Sequence, residues 1–128
     1  MKRAPFLLLV VSLACNGRDE AAAPRPRAAA TPAANPEAAQ GQQLIRQYGC
    51  NVCHVVPGID GAQGSLGPSL AGIASRPTLS EAAVPNTPAN LAQFVQNPAS
   101  LNPQTSMPPV GISDDESRAI AAYLMTLK

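Results

Sequence analysis

Apolar side chains in this chain recur at helical spacing in three separate stretches, and nowhere do they alternate long enough to make a half-buried strand. In the first stretch Gly41, Leu44, Ile45 and Tyr48 fall on or near one helical face. Asn35 and Pro36 supply an N-cap and a first helical position ahead of it, and Gly49 supplies a stop. In the last stretch Ile120, Tyr123, Leu124 and Leu127 follow Ser113-Asp114-Asp115-Glu116, a capping box with added acid in the first turn. Between them Thr87-Pro88 opens a shorter helix with Leu91, Phe94 and Val95, and Asn97-Pro98 closes it. The spacing predicts an all-α domain over residues 36–128, with three main helices, Gly/Pro-rich loops and no internal repeat.

The beginning of the chain follows another pattern. Lys2 and Arg3 precede an apolar run from Phe6 to Leu13, well short of the ~20 residues of a membrane-spanning helix. Residues 1–14 are read as an export signal. Ser12-Leu13-Ala14-Cys15 resembles a bacterial lipobox, with its Leu one position later than usual. Two readings stand for Cys15: the lipidated N-terminus left by cleavage, or an incidental cysteine beside an ordinary small-x-small cleavage site. Lipidation is expected, because an unpaired exported cysteine otherwise lacks a role and a tether follows directly. That tether, residues 15–35, is Ala/Pro-rich and lacks long apolar side chains. Pro24, Pro26 and Pro32 oppose a continuous helix, and the segment spans roughly 25 Å as a coil or about 60 Å as polyproline II. It serves either to swing an anchored domain between partners or as a plain spacer. The expected location is outside the cytoplasm, on the periplasmic or cell-surface side, anchored to a membrane.

Composition makes the domain's core look thin. The 128 residues include no Trp, 2 Phe and 2 Tyr, and much of the 45% hydrophobic fraction is Ala, which buries little area per residue. A domain of this size is marginal without a further apolar body to pack against.

Cys50-Asn51-Val52-Cys53-His54 supplies the reason to expect one, because C-x-x-C-H is the attachment signature of c-type haem. On a helix, positions i, i+3 and i+4 share a face, so both thiols and the imidazole approach one flat ligand together. Each thiol adds to a vinyl group to form a thioether, and His54 offers a ring nitrogen to the iron. Two other uses of the cysteines fit poorly. A zinc site needs a second ligand pair, and the chain has a single His and only Cys15 besides; a thioredoxin-like pair needs a βαβ context that this Pro-rich sequence does not supply.

An iron that cycles between oxidation states with little rearrangement needs a second strong ligand, and a thioether favours the reduced state more than imidazole does. Met107, in Ser106-Met107-Pro108-Pro109, is the candidate, because two prolines stiffen the backbone beside its sulfur in a loop remote from His54. Met125 lies away from the apolar face of the last helix and is expected to be peripheral.

Together these residues resemble class I c-type cytochromes, small monohaem electron carriers. The resemblance covers residues 36–128: the first helix, Cys50-x-x-Cys53-His54, Gly67-Pro68-Ser69-Leu70, the Met107-Pro108 loop and the Tyr123-Leu124 helix. It implies a cytochrome c fold with crossed first and last helices, one covalent haem c, and a Pro68 carbonyl that accepts from the His54 ring N–H; a simple turn is the other role for Pro68. Gly72-Ile73-Ala74-Ser75-Arg76 also looks like a segment of the family in which an Arg meets a haem propionate, and a solvated surface Arg76 is the other reading. Phe94 stands where many members carry Trp and is expected in the core. Gln42 and Gln43 follow Gly41 where the family often has an aromatic, which leaves the helix crossing unspecified.

Charge says little about partners. From residue 36 the domain carries Arg46, Arg76, Arg118 and Lys128 against Glu37, Asp60, Glu81, Asp114, Asp115 and Glu116, a balance of −2 (4 − 6). The lysine-rich face of strongly basic cytochromes is missing, nucleic acid is not indicated, and Asp114 to Glu116 read better as a capped helix end than as a binding patch. Docking is expected on apolar contacts around a haem edge, with weak salt dependence, by a monomer. The expected function is single-electron transfer between extracytoplasmic or membrane respiratory proteins, by a carrier and not an enzyme. The alternative is a haem sensor or enzyme component whose open iron binds a gas or peroxide, and Met107 separates the two.

Overall fold

Asn35 opens the folded domain: its Oδ1 accepts from the backbone N–H of Glu37 at 3.0 Å and of Ala38 at 3.4 Å. With Pro36 in the first turn, these bonds start helix α1, Pro36–Gln47, and such a cap contributes about 1 kcal/mol. The computed structural model describes residues 35–61 and 63–128, so the expected export signal, Cys15 and the expected linker up to residue 34 lie outside the described residues.

Tyr48 caps α1, and Gly49, at φ +69°, turns the chain into the single-turn helix α2, Cys50–Cys53. A left-handed residue costs a side chain strain that glycine escapes, which places the stop at Gly49. A long loop then leads through a 3₁₀ turn, Ile73–Ser75, to a two-residue antiparallel ladder of β1, Thr78–Leu79, with β2, Val84–Pro85. Thr87 Oγ1 accepts from Asn90 N at 3.1 Å and caps α3, Pro88–Gln96. The next helix, α4, Pro98–Leu101, was not foreseen from the sequence: Asn97-Pro98 closes α3 and also opens a new turn, because Pro fits the first helical position as well as it ends a helix. The last helix, α5, Asp114–Leu124, begins with the expected capping box, in which Ser113 Oγ and the Glu116 carboxylate bond each other's backbone N–H.

Helix α5 packs against both α1 and α3. Where α1 meets α5 the backbones approach so closely that a Cβ on Gly41 would lie 1.9 Å from the Ala119 carbonyl oxygen. Ala38, Leu44 and Ile45 from α1, Leu91, Ala92 and Val95 from α3, and Ala119, Ile120, Ala121, Tyr123 and Leu124 from α5 form the core, joined by Val56, Ile59, Ile73, Leu79 and Ile112. Each large aliphatic side chain among them contributes roughly 1.5–3 kcal/mol by burial. Phe94 differs from expectation. It is half-buried and packs against the core from its margin, while Leu91 and Val95 on the same helix are buried within it. The fold is mostly helical, with little strand.

Candidate functional site

The motif cysteines occupy the first and last positions of α2, one turn apart, and both are free and half-buried. Val52 N donates to Gly49 O at 2.9 Å and His54 N to Cys50 O at 2.9 Å, which closes the turn. His54 itself lies outside the helix. As C-cap it takes an extended backbone, φ −115° and ψ 145°, so the shared-face argument applies to the two thiols while the imidazole is aimed by the cap residue. Burial raises the Cys50 thiol above its ordinary pKa, and the nearby Cys53 pushes the same way against an opposing backbone hydrogen bond. A redox-active dithiol has the reverse property, a thiolate made easy to form.

The imidazole is oriented by the loop that follows. His54 Nδ1 lies 2.7 Å from the Pro68 carbonyl oxygen. A carbonyl only accepts, so Nδ1 carries the hydrogen and Nε2 keeps a free lone pair. The loop sits directly on the motif: Gly67 N donates to Cys53 O and Leu70 N to Val55 O, each at 2.8 Å. At Gly67 the approach excludes any side chain, since a Cβ would come within 2.3 Å of His54 Cε1. Gly64 is equally tight, 2.3 Å from the Cys53 carbonyl carbon by the same construction. Sequence reasoning missed Gly64; the only signal was a second glycine three residues before Gly67.

Arg76 is turned toward the same loop, its Nη2 donating to Ser69 O at 2.5 Å and Ala71 O at 3.0 Å. Met107 is half-buried in the stretch between α4 and α5, its N–H donating to Thr105 Oγ1 at 3.2 Å, with Pro108 and Pro109 exposed. Met125 is the C-cap of α5 and packs half-buried against the core's margin. Three contacts outside the predicted set hold the segment after His54. Gln42 Nε2 and Arg46 Nη2 donate to Gly58 O at 2.9 and 3.4 Å, and the Tyr123 hydroxyl donates to Pro57 O at 2.6 Å. Gln42, at the place where the resemblance leads one to look for an aromatic, thus ties α1 to this segment.

These residues suit a covalently held haem. Two half-buried thiols one turn apart, an imidazole with Nε2 free, and a glycine-lined approach over its ring form the donor set. Leu70, Phe94 and Val110 are half-buried against the core, and Val52, Val55 and Leu66 are 68%, 40% and 81% exposed, so apolar surface remains for a large flat group to cover. Among the described residues no three His, Cys, Asp or Glu side chains cluster as they would around a metal ion. No helix among those residues is long and apolar enough to cross a membrane.

No curated protein matches the chain. The family model for cytochrome c matches residues 38–128, the span that contains every helix described above apart from the first two residues of α1. With the C-x-x-C-H spacing and the helical fold around it, this match makes the chain a member of the cytochrome c family, a class I c-type cytochrome that carries covalent haem c and serves haem-based electron transfer.

Proposed function

We propose that this chain is a tethered electron carrier, moving single electrons between respiratory proteins outside the cytoplasm. When bound, the haem supplies a one-electron iron couple. Cys50 and Cys53 hold it through thioethers, so it does not dissociate during partner exchange. His54 donates Nε2 to the iron, with its tautomer fixed by the Pro68 carbonyl; that 2.7 Å contact is the observation that carries the reading. Met107 supplies the second ligand from a loop stiffened by Pro108 and Pro109. A thioether there closes the iron to small molecules, which separates a carrier from a gas-binding sensor or a peroxide-using enzyme component.

Docking rests on apolar contacts by a monomer, in keeping with the domain's −2 balance (4 − 6) and with exposed Val52 inside the motif and exposed Leu66 in the loop that follows it. Cys15 carries lipid and holds the protein on the extracytoplasmic side of a membrane, with residues 16–35 as tether. The test is a visible spectrum of the purified protein in both redox states, with carbon monoxide added to the reduced form. A shifted thioether-haem spectrum with no response to carbon monoxide is expected. Ready carbon monoxide binding by the wild type would instead establish an open iron site.

A further inference from the structure

We infer that Gln42 is a positioning residue for the haem motif: its side-chain amide pins the turn that follows His54 onto the crossing of α1 and α5, and so keeps water from that side of the motif. This rests on the reading above in which the motif carries an electron-transfer haem.

The turn is Val56-Pro57-Gly58-Ile59. Ile59 N donates to Val56 O at 3.2 Å across it, and Gly58 sits at φ +78°, the left-handed value that a type II turn requires at its third residue. Val56 and Ile59 are buried in the core, whereas Pro57 and Gly58 are exposed. The carbonyls of those two outer residues lie outside the turn's own hydrogen bond, and side chains from two helices satisfy them. From α5 the Tyr123 hydroxyl donates to Pro57 O at 2.6 Å. From α1 Gln42 Nε2 donates to Gly58 O at 2.9 Å, and Arg46 Nη2, one helical turn on, reaches the same oxygen at 3.4 Å.

Gln42 is the closer of the two α1 donors and is half-buried, while Arg46 is exposed. It also bears on the third donor. Burial raises the Tyr123 phenol above its ordinary pKa, and a hydrogen bond from Gln42 and the charge of Arg46 pull the other way. An amide NH₂ carries two hydrogens, so one side chain serves the Gly58 carbonyl and the phenol together. The fit leaves no slack, because a Cβ on Gly58 would lie 2.7 Å from the Tyr123 hydroxyl oxygen and 3.5 Å from Gln42 Nε2.

The chain touches the motif on both sides of this turn. Val56 stands two residues after His54, and Gly64 packs so closely that its Cβ would lie 2.4 Å from Val52 O and 2.6 Å from His54 N. Lifting the turn draws Val56 and Ile59 out of the core and admits water beside Cys53 and His54. Water favours the more highly charged ferric state, so the reduction potential falls.

The experiment compares the wild-type holoprotein with Gln42→Met, which keeps length and neutrality but has no donor, and with Gln43→Met, the same change at the exposed neighbour. Two quantities are read: the midpoint potential, and the exchange rate of the Ile59 amide proton by NMR in the diamagnetic reduced state. Gln42→Met is expected to speed exchange about tenfold, the scale of one ordinary hydrogen bond, and to lower the potential, with Gln43→Met changing neither. Gln42→Lys, which restores a donor, is expected to slow exchange again; only exchange is read for it, because its charge acts on the iron directly.

Unchanged exchange in Gln42→Met overturns the inference in favour of a solvated surface Gln. Faster exchange at an unchanged potential overturns it too, because the contact then serves the fold alone. If Gln42→Met yields no holoprotein, the wild type decides: proximity of the Gln42 amide protons to Gly58 and to the Tyr123 ring is expected in its NMR spectra, and their absence overturns the assignment. Failure of the carrier reading shows separately, as carbon monoxide binding by wild-type protein.

Discussion

The Tyr48 hydroxyl donates to Glu116 Oε1 at 2.8 Å, joining the end of α1 to the first turn of α5. Glu116 Oε2 meanwhile accepts from Ser113 N at 2.9 Å and from Ser113 Oγ at 2.7 Å, so one carboxylate both completes the α5 cap and receives the α1 contact. The Ser113 backbone N–H, then the Ser113 hydroxyl, then Tyr48 hold the Glu116 carboxyl below its ordinary pKa. Tyr48 is held above its ordinary value, first by that hydrogen bond and then by loss of solvent and the negative charge.

The signs of these shifts give a pH prediction. Glu116 is easier to ionise in the folded state, so its contribution is present above the ordinary value of 4.5 and is lost as pH falls through the lower folded value. Tyr48 runs the other way, contributing below 10.0 and losing that contribution as pH rises through its higher folded value. Tyr48→Phe should lower the thermal midpoint modestly at neutral pH, and the gap from wild type should close in acid as Glu116 protonates. Melting curves across the acid range check this; a gap independent of pH would mean that the pair contributes through packing alone.

Gly41→Ala tests the α1–α5 crossing. A Cβ there meets the Ala119 carbonyl oxygen at 1.9 Å and its carbon at 2.5 Å, both backbone atoms that cannot rotate away. The helices must separate, and overpacking of this kind costs roughly 2–3 kcal/mol. Denaturant unfolding of the holoprotein should show an earlier midpoint at an unchanged slope. A midpoint equal to wild type would mean that the crossing opens freely.

Replacing Cys50 and Cys53 together by Ser should abolish covalent haem and, with it, the folded domain. The core is built largely from aliphatic side chains and alanines, with Leu70, Phe94 and Val110 left half-covered at its margin. Haem staining after denaturing electrophoresis reads the bond, and protease resistance reads the fold. A compact, resistant apoprotein would refute the part of this argument that makes haem necessary to the core.

Met107→Ala should open the iron, lower the reduction potential and admit carbon monoxide, whereas Met125→Ala should leave all three nearly unchanged. Met125 is the C-cap of α5, where its backbone N–H bonds Ala121 O at 2.9 Å whatever its side chain. The weak near-infrared band of ferric iron with a methionine ligand is the direct readout. Its survival in Met107→Ala would remove Met107 from the site.

The elements legible in the sequence are those marked by local chemistry: Asn35-Pro36, Thr87-Pro88 and the Ser113 to Glu116 box each begin a helix where their caps place it. What stayed hidden is tertiary or too short to be periodic. A ladder of two residue pairs has no alternation to read, and its turn sets Ser80 and Ala83 at φ 54° and 55° with no glycine to announce it. Helix α4 was hidden because proline after Asn97 signals an end and a beginning alike. In the site, the motif is visible as a string of residues, but the approach of Gly64 to its backbone and the reach of Arg76 to Ser69 join residues 11 and 7 apart through the loop's path, which no local pattern encodes. Gln42 shows the same limit: an unremarkable polar position on α1 becomes a donor to Gly58 O, 16 residues away.

Anchoring is tested at Cys15, independently of the domain. If it carries lipid, two or more acyl chains at ~0.8 kcal/mol per buried CH₂ hold the protein on a membrane essentially permanently. Cys15→Ser should then give no normally processed anchored product. The haem spectrum of whatever protein is made should match wild type, because Cys15 lies well before Asn35, the N-cap of the first described helix, and before the haem motif. Membrane fractionation with mass spectrometry of the mature N-terminus separates the possibilities. A membrane-bound wild type with a diacylated Cys15 supports the tether. A soluble protein beginning at an unmodified Cys15 would refute it and make the protein a freely diffusing carrier, whose electron-transfer rate to a membrane partner would then rise with its bulk concentration.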